Sequence, residues 1–389
     1  ACHARPGRPR RAAARQGAMN GLDILVIGGG IGGLTSAIAL GKAGHHVTVI
    51  ERDPNWSVYG VGIIQQSNVL AAAHRLGILE AYLAAGVGFD AVEIFTPAGD
   101  KVARIPGHPV AEGLPANLGI GRPALHQLLG EAARAAGADI RLGLTATALE
   151  ETGAGVAARF SDGAHATYAL VVGADGVYSA TRQMILPDAE VPQFTGQSVW
   201  RYNFPRPADL DALQVYNGPT GVGLVPISDR LMYMYATTPE PDNPRYAQAG
   251  LAATMRAKLA HTAPAIQALA RQITEDEGVV YRPLEGMMLH GPWHKGRVVL
   301  LGDAVHATTP HLGQGAGMAI EDSIVLAEEI ARAASPEEAF TAYRARRFER
   351  CRFIVEKSLE ICHGQIGKGP PVDNARATAE MFAVVSRPI

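Results

Sequence analysis

The sequence has 389 residues, of which 47% are hydrophobic and 19% are charged, with 44 glycines, 25 prolines and three cysteines. This composition excludes a disordered chain, collagen and a small disulfide-stabilised protein, and the length favours about two domains. The formal net charge of −2 gives no general attraction to nucleic acid or to an anionic membrane, so we expect a small-molecule partner and no nucleic acid.

The segment before Met19 is rich in arginine and alanine and contains no acidic residue. It lacks the apolar centre of a secretory signal, and Pro6 and Pro9 would interrupt the amphipathic helix of a mitochondrial transit peptide. We therefore expect residues 1–18 to be a non-native or disordered extension, either added or translated from upstream of a native start at Met19. A transit peptide is the alternative.

The cysteines, Cys2, Cys351 and Cys362, form no CxxC pair and lack the spacing of metal ligands. This predicts a reducing, cytoplasmic environment and no metal site. The longest uncharged run, 24–41, begins with a cluster of glycines, so it predicts a strand, a turn and a helix rather than a membrane span. We expect no integral membrane association.

In chain order, the first predicted unit is a strand over 22–27, a glycine-rich turn, a helix over 34–42 and a strand over 46–50. Later patterns predict helices over 66–76, 124–136 and 317–334, and strands over 140–144, 170–173 and 298–302. Between them, short runs about ten residues apart predict an antiparallel sheet, over 198–204, 212–216, 221–226 and 230–237.

This order of elements predicts an α/β fold with a Rossmann-like nucleotide-binding domain that a second domain interrupts. The nucleotide-binding domain comprises 19–190 and 290–350, and an antiparallel-sheet substrate domain comprises 191–289. The segment 351–389 is predicted to be helical.

The first motif that carries chemistry is the glycine-rich turn after the first strand. Gly28, Gly30 and Gly33 have the GxGxxG spacing, and Glu51 ends the next strand. Glycine permits the tight turn and lets backbone N–H groups approach a pyrophosphate, while the acid accepts hydrogen bonds from an adenosine ribose. The strand, helix and acid together predict a dinucleotide site.

Two further segments specify the dinucleotide. Asp175-Gly176 follows one predicted strand, Gly302-Asp303 follows another, and Gly313-Gln-Gly315-Ala-Gly317 opens a helix. With the first motif, these segments resemble the dinucleotide fingerprint, the DG motif and the GD motif of the single-component flavoprotein aromatic hydroxylases, which have the para-hydroxybenzoate hydroxylase fold. The resemblance runs from residue 22 to about residue 350.

The resemblance implies that FAD binds with its adenosine on Glu51, its pyrophosphate over residues 28–33 and its ribityl chain near Asp303. Arg122 resembles the family's flavin-contacting arginine, with a solvent-exposed salt bridge as the alternative. Asp175 resembles the family residue that links the FAD site to the nicotinamide, with capping of its own turn as the alternative. The candidate cofactor-binding residues are Gly28, Gly30, Ile31, Gly33, Glu51, Arg52, Gly62, Arg122, Asp175, Asp303, Gly313, Gly315, Ala316, Gly317 and Met318.

The loop from Gly313 to Gly317 has a physical rationale of its own. Reduced flavin carries negative charge that a helix N-terminus with free N–H groups stabilises. Many relatives carry asparagine at the position of Gly317, and glycine there is similar to the salicylate-hydroxylase-like branch. There is no second GxGxxG, which predicts that NADH or NADPH binds transiently as a cosubstrate.

The candidate catalytic residues are Arg201, Tyr216, Pro310 and His311. The resemblance implies that Arg201 meets a substrate carboxylate or carbonyl, that Tyr216 orients or deprotonates a phenol, and that Pro310 and His311 lie near the reacting ring. The alternatives are an arginine that stabilises the sheet and a tyrosine packed in the core.

Three other residues near these candidates have more ordinary interpretations. We expect His306 to be a structural histidine, and Tyr233 and Tyr235 to line either the cavity or the core.

The resemblance implies an NAD(P)H-dependent FAD monooxygenase that uses O2 to hydroxylate an aromatic or heteroaromatic small molecule through a flavin C4a-hydroperoxide. One alternative is a flavin oxidoreductase of the same fold that epoxidises or dehydrogenates a non-aromatic metabolite. Another is a flavin-binding sensor without turnover. We also predict a possible homodimer.

Overall fold

The computed structural model describes Met19 and residues 21–389, so the predicted extension over residues 1–18 lies outside the described residues. The strands in chain order are β1 Asp23–Ile27, β2 His46–Glu51, β3 Gly62–Gln66, β4 Gly86–Phe89, β5 Ala91–Phe95, β6 Lys101–Pro106, β7 Asn117–Gly121, β8 Asp139–Leu142, β9 Ala146–Thr152, β10 Gly155–Phe160, β11 His165–Tyr168, β12 Leu170–Gly173, β13 Gln193–Pro205, β14 Leu213–Tyr216, β15 Gly221–Pro226, β16 Leu231–Pro239, β17 Val280–Gly286, β18 His294–Lys295 and β19 Val298–Leu300. The helices are α1 Ile31–Lys42, α2 Ser67–Arg75, α3 Leu79–Ala85, α4 Arg122–Ala135, α5 Ala180–Ile185, α6 Leu251–Lys258, α7 Pro264–Ala270, α8 Asp303–His306, α9 Gly315–Arg332, α10 Pro336–Gln365 and α11 Asn374–Val385.

A six-stranded sheet with the order β18-β19-β12-β1-β2-β8 forms the centre of the nucleotide-binding domain. Its strands run parallel except at the β18–β19 edge, and the apolar residues of β1 are buried without alternation because both faces are covered. Ile27 pairs with both Ile50 and Gly173, so β1, β2 and β12 end at one edge. Ligands of such sheets bind at this edge.

A seven-stranded sheet with the order β17-β13-β16-β15-β14-β5-β6 forms the second domain. Its strands are antiparallel except for the parallel pair β14 and β5. One face is covered by α6 and α7 through an apolar cluster that includes Trp200, Met234 and Leu251. The opposite face carries Arg201, and we call it the cavity face.

Two three-stranded sheets complete the fold, with the orders β3-β7-β4 and β11-β10-β9. The first lies against the second domain, since a Cβ atom on Gly119 of β7 would collide with the carbonyl oxygen of Pro226. This close approach brings β3 next to the cavity face. No helix among the described residues is both long enough and apolar enough to cross a bilayer.

The predicted α/β class, with an inserted antiparallel sheet and C-terminal helices, is confirmed. The predicted limits of the second domain are too narrow, because β5 and β6 precede residue 191 and still belong to its sheet. The predicted boundary after residue 350 falls inside α10. Helix α9 begins at Gly315, two residues before its predicted start at 317.

Candidate active site

The glycines of the glycine-rich turn have two different roles, one in the fold and one in leaving space for a ligand. Gly28 has a φ of 109°, and a Cβ atom there would collide with the carbonyl oxygen of Ala174. A Cβ atom on Gly33 would collide with the carbonyl oxygen of Gly28. Both glycines are therefore needed by the fold. A Cβ atom on Gly30 meets no atom within 4 Å, so Gly30 faces the space that a ligand would occupy.

The N-terminus of α1 is suited to an anion. Gly30 caps the helix without a side-chain hydrogen bond, and the first turn contains no acidic residue. The first N–H groups of a helix have no partner within it and carry partial positive charge, so a pyrophosphate is a fitting ligand. Ile31, the first residue of the helix, is half-buried at this end.

Glu51 is held in place beside this turn. One of its carboxylate oxygens accepts a hydrogen bond from the Gly29 N–H at 2.8 Å, and the other accepts one from the Asp53 N–H at 2.9 Å. Each oxygen retains acceptor capacity for a ribose hydroxyl. Arg52 is exposed next to Glu51.

Asp175 of the DG motif acts within its own turn. Its oxygens accept hydrogen bonds from the Ser179 hydroxyl at 2.5 Å and from the Thr181 amide and hydroxyl at 2.9 Å. The structure thus agrees with the alternative that Asp175 caps the turn. The fully buried Arg182 was missed as a separate candidate; it donates to the carbonyl oxygens of Val177 and Ala304 and so joins the DG and GD segments.

Asp303 begins α8 at the sheet edge where ligands are expected. Its carboxyl group forms no hydrogen bond with a described residue, and burial raises its pKa, while nearby His306 and Arg122 act in the opposite direction. The Asp303 side chain is half-buried, and a partly desolvated carboxyl group without a partner is costly, so a hydroxyl from a bound ligand would stabilise it. The ribityl chain of FAD offers such hydroxyls.

We expect Asp303→Asn to weaken FAD binding by roughly fivefold to tenfold, because a hydroxyl of the ligand would donate to a neutral amide oxygen instead of a charged carboxylate. The apoprotein should melt at the same or a higher temperature, because an unpaired, half-buried carboxyl group has been removed. Titration of the apoprotein with FAD, followed by flavin fluorescence, measures the first effect, and a thermal melt measures the second. Wild-type affinity in Asp303→Asn would exclude this role.

The N-terminus of α9 is also open to an anionic edge. Gln314 caps the helix without a side-chain hydrogen bond, and the first turn has no acid. Gly313 adopts the left-handed conformation with a φ of 68°. Gly315 and Ala316 are half-buried, whereas Met318 is buried and donates its N–H to the Gln314 carbonyl oxygen.

The departure at Gly317 has a local explanation. A Cβ atom there would lie 2.9 Å from Val69 Cγ2 and 3.0 Å from Gln314 Oε1. Gln314 and Asn68 form reciprocal side-chain hydrogen bonds of 3.0 Å in this space. The amide groups of α2 and of the loop therefore fill the place of a larger residue at 317.

Two arginines lie near each other where β3 approaches the cavity face. Arg122 begins α4 and Arg201 lies on β13; burial lowers both pKa values, and repulsion from Arg122 contributes to lowering that of Arg201 to about 10. Asp303 lies near Arg122 without forming an ion pair, and no described carboxylate pairs with Arg201. A half-buried cation without an acid favours an anionic ligand.

Two tyrosines, Tyr233 and Tyr235, lie on the cavity face. Tyr233 packs so closely on β3 that a Cβ atom on Gly62 would collide with its ring, and Tyr235 packs in the same way on Gly223. Tyr235 lies opposite Arg201 in the β13–β16 pairing, so the two share the cavity face. Tyr233 belongs to a buried apolar cluster with Val225 and Ile227, and Tyr235 packs against that cluster, so the structure favours the core interpretation of these tyrosines. Gly62 is needed for this contact.

Tyr216 does not reach this cavity, which corrects its predicted place. Residues paired directly across neighbouring strands point to the same face of a sheet. The pairs Tyr216–Val222, Val222–Ala236 and Ala236–Trp200 therefore place Tyr216 on the face of Trp200, opposite the cavity face. Tyr216 stacks on Phe95 with ring centroids 4.4 Å apart in the apolar cluster. A shift of one residue separates the two faces of a strand, and composition does not reveal it.

Pro310 and His311 lie in the short turn Pro310–Leu312 that precedes α9. The Pro310 carbonyl oxygen accepts a hydrogen bond from Gly313 N–H at 3.0 Å. His311 Nδ1 lies 2.9 Å from the Thr309 hydroxyl and Nε2 lies 3.2 Å from Gln365 Oε1. Both ring nitrogens therefore have protein partners.

A buried ionic network supports the site, and the sequence analysis did not predict it. Asp322 of α9 contacts His306 at 2.6 Å and Arg347 at 2.7 Å, and it accepts from the Gly302 N–H at 3.0 Å. The neighbouring Glu321 pairs with Arg347 at 2.7 Å. His306 is thus structural, as expected. Two adjacent acids in the apolar run 318–327 were the signal that could have revealed the network.

The thiol of Cys351 lies next to the ionic network of His306 and Asp322. His306, Asp322 and Cys351 place ligand-type atoms within 4.8 Å of one another, a spacing that could hold a metal ion. The Arg347 guanidinium already occupies the Asp322 carboxylate, so an additional cation would be repelled. The cluster is better explained by the ion pairs than by a metal.

Comparisons with known proteins identify the family of this chain. A family model described as an FAD binding domain matches residues 21–358. The chain is 31% identical to the aurachin C monooxygenase/isomerase of Stigmatella aurantiaca over 90% of each chain. It is 32% identical to the 6-hydroxynicotinate 3-monooxygenase of Bordetella bronchiseptica, over 86% of this chain and 90% of the relative.

Among solved structures, HpxO of Klebsiella pneumoniae in complex with FAD and uric acid superimposes with a TM-score of 0.81 and 26% identity. The match covers 94% of this chain and 92% of that one. The open turn at Gly30, the fixed Glu51 and the unpartnered Asp303 fit the same cofactor. The chain therefore belongs to the FAD binding domain family and is a single-component FAD-dependent aromatic hydroxylase.

Proposed function

We propose that this hydroxylase adds one oxygen atom from O2 to an aromatic or heteroaromatic small molecule that carries an anionic oxygen, with NADH or NADPH as the reductant. The observation that carries the proposal is Arg201, a half-buried cation on the cavity face with no carboxylate partner among the described residues. One relative is named for 6-hydroxynicotinate, and one structural neighbour holds uric acid. Both compounds are polar heteroaromatic rings, which is consistent with the proposed class of substrate.

The cofactor would be held by the turn over residues 28–33, Glu51, Asp303 and the N-terminus of α9. When bound, FAD would accept hydride from the nicotinamide and transfer oxygen to the aromatic ring of the substrate. The N-terminus of α9 would stabilise negative charge on the reduced flavin.

The cavity face would bind the substrate. Arg201 would bind the anionic oxygen of the substrate. The side chains of Tyr233 and Tyr235 would exclude water from the space around the aromatic ring of the substrate. Burial raises the pKa of both phenols, which keeps them neutral at pH 7 and able to donate a hydrogen bond.

We expect Arg201→Ala to raise the KM for the substrate by roughly 10-fold to 100-fold, because it removes a charge-assisted hydrogen bond in a buried place. FAD content should stay at the wild-type level. Tyr216→Phe is the matched control: it alters the opposite face of the same sheet and should leave KM within about twofold. Equal KM values for Arg201→Ala and wild type would remove Arg201 from the substrate site.

The reaction class is tested with isotopically labelled O2. NAD(P)H oxidation is first screened with aromatic acids, hydroxylated heteroaromatics and their neutral analogues, and we expect the anionic compounds to stimulate it most. The product should then carry one labelled oxygen on its ring. Unlabelled product from a reaction that also runs without O2 would contradict oxygen insertion while leaving the FAD site intact.

The predicted homodimer and cytoplasmic location stay predictions.

A further inference from the structure

Gln365, the last residue of α10, lies at a junction that the proposed function does not use. Its Oε1 atom lies 2.7 Å from Gln197 Nε2, 3.2 Å from the Thr237 hydroxyl and 3.2 Å from His311 Nε2. Its Nε2 atom donates to the Gly218 carbonyl oxygen at 3.1 Å. One carboxamide thus joins α10 to two strands of the substrate sheet, to the turn before β15 and to the turn before α9.

The contacts determine the orientation of this amide. The Gly218 carbonyl oxygen can only accept, so the nitrogen of Gln365 must face it and the oxygen must face the other three groups. His311 Nε2 must then be a donor. Because a neutral imidazole has one N–H, Nδ1 is left to accept from the Thr309 hydroxyl at 2.9 Å.

The charge of His311 is consistent with this arrangement. Burial lowers the pKa of its ring to about 4, and the contact with Gln365 only partly offsets the effect. The ring is therefore neutral at pH 7. With both nitrogens engaged inside the protein, it has no free donor or acceptor for a reacting ring.

We propose that Gln365 is a positioning residue that fixes His311 as the Nε2–H tautomer and so holds the turn Pro310–Leu312 against the substrate sheet. His311 then acts through its place and not as an acid or base. The turn leads directly into the N-terminus of α9, so its position sets the separation between the flavin-facing loop and the face that carries Arg201. This last consequence rests on the proposed function, whereas the tautomer does not.

The tautomer is measured first in the wild-type FAD-loaded protein by nitrogen-15 NMR of its histidines, with the His311 signals assigned by their loss in His311→Asn. We expect a protonated Nε2 and an unprotonated Nδ1 at pH 7. An Nδ1–H tautomer or an imidazolium would overturn the proposal without any change to Gln365.

The positioning role is tested with Gln365→Met, which removes both the donor and the acceptor at similar length. We expect averaged His311 tautomers and an increase of about two- to tenfold in hydrogen peroxide formed per NAD(P)H oxidised, the effect of one lost hydrogen bond. Gln267→Met, which loses only a bond to the Thr262 carbonyl oxygen, is the control and should resemble wild type.

The outcomes are distinguishable. Unchanged His311 signals in Gln365→Met, or altered signals with an unchanged peroxide fraction, would overturn the positioning role. If no aromatic compound stimulates NAD(P)H oxidation by the wild type, the proposed function fails, and the NMR result alone then decides the tautomer.

Discussion

Gly30→Val should abolish FAD binding while leaving the fold of the apoprotein unchanged. The backbone of Gly30 is extended, with φ −82° and ψ −170°, a conformation that valine adopts readily. The new Cβ atom would meet no protein atom within 4 Å, so its branched side chain would project into the space proposed for the pyrophosphate. We expect less than about a tenth of the wild-type flavin content after purification, measured by absorbance, and an apoprotein stability within about 0.5 kcal/mol of wild type.

Two controls separate the ligand from the fold. Gly153→Val places the same side chain in the open turn between β9 and β10 and should keep full flavin content. Gly33→Ala should destabilise even the apoprotein, because its Cβ atom collides with the Gly28 carbonyl oxygen. Full flavin occupancy in Gly30→Val would show that the turn does not hold the cofactor.

Asp322→Asn should cause the largest loss of stability, on the order of 3–5 kcal/mol in the free energy of unfolding. The substitution preserves shape but leaves His306 and Arg347 buried without their shared carboxylate. Removal of one partner from a buried ion pair is costly because the remaining charges are less well compensated. In this variant Arg347 keeps Glu321, and His306 loses the acid with which it pairs. Urea denaturation of the FAD-loaded protein measures the effect. Asp211→Asn breaks an exposed pair with Arg104 and should cost far less.

The same variant should change how stability depends on pH. Burial alone would raise the pKa of Asp322, but His306 and Arg347 outweigh it and lower the pKa to about 2. A lowered pKa means that the ionised group stabilises the fold above its ordinary value of 3.8, and that this contribution is lost as the pH falls toward 2. Against the effect of burial, the pKa of its partner His306 is raised by Asp322, so that contribution is complete only below the ordinary value of 6.5. Wild type and Asp322→Asn should therefore differ most between the ordinary values of 3.8 and 6.5, and converge in acid. Parallel curves would show that Asp322 is not ionised in the fold.

The parts of the site that sequence predicts are those built from neighbouring residues. The turn at Gly28 and Gly33 needs glycine for steric reasons that hold in any chain, and Asp303 follows a short apolar strand. In both places the local geometry and the chemistry are set within a few residues, so the motif and the site coincide.

Other parts depend on pairings between distant segments. Whether Arg201 or its neighbour Trp200 faces the cavity is decided by register, and the same register removes Tyr216 from the site. Asp322 and Gln365 act on residues that lie far from them in the chain or on other elements, and neither belongs to a local motif. The two adjacent acids in the apolar run 318–327 indicate that buried partners are needed, but composition and spacing do not identify those partners.

The parallel pairing of β5 with β14 limits how this enzyme can be recombined with its relatives. An exchange of 191–289 alone would pair the grafted β14 with the β5 strand of the other parent. The stacked rings of Phe95 and Tyr216 would then come from different chains, so their packing would be mismatched. A chimera that alters substrate choice therefore has to transfer residues 91–106 together with the insert, as two exchanged segments and not one.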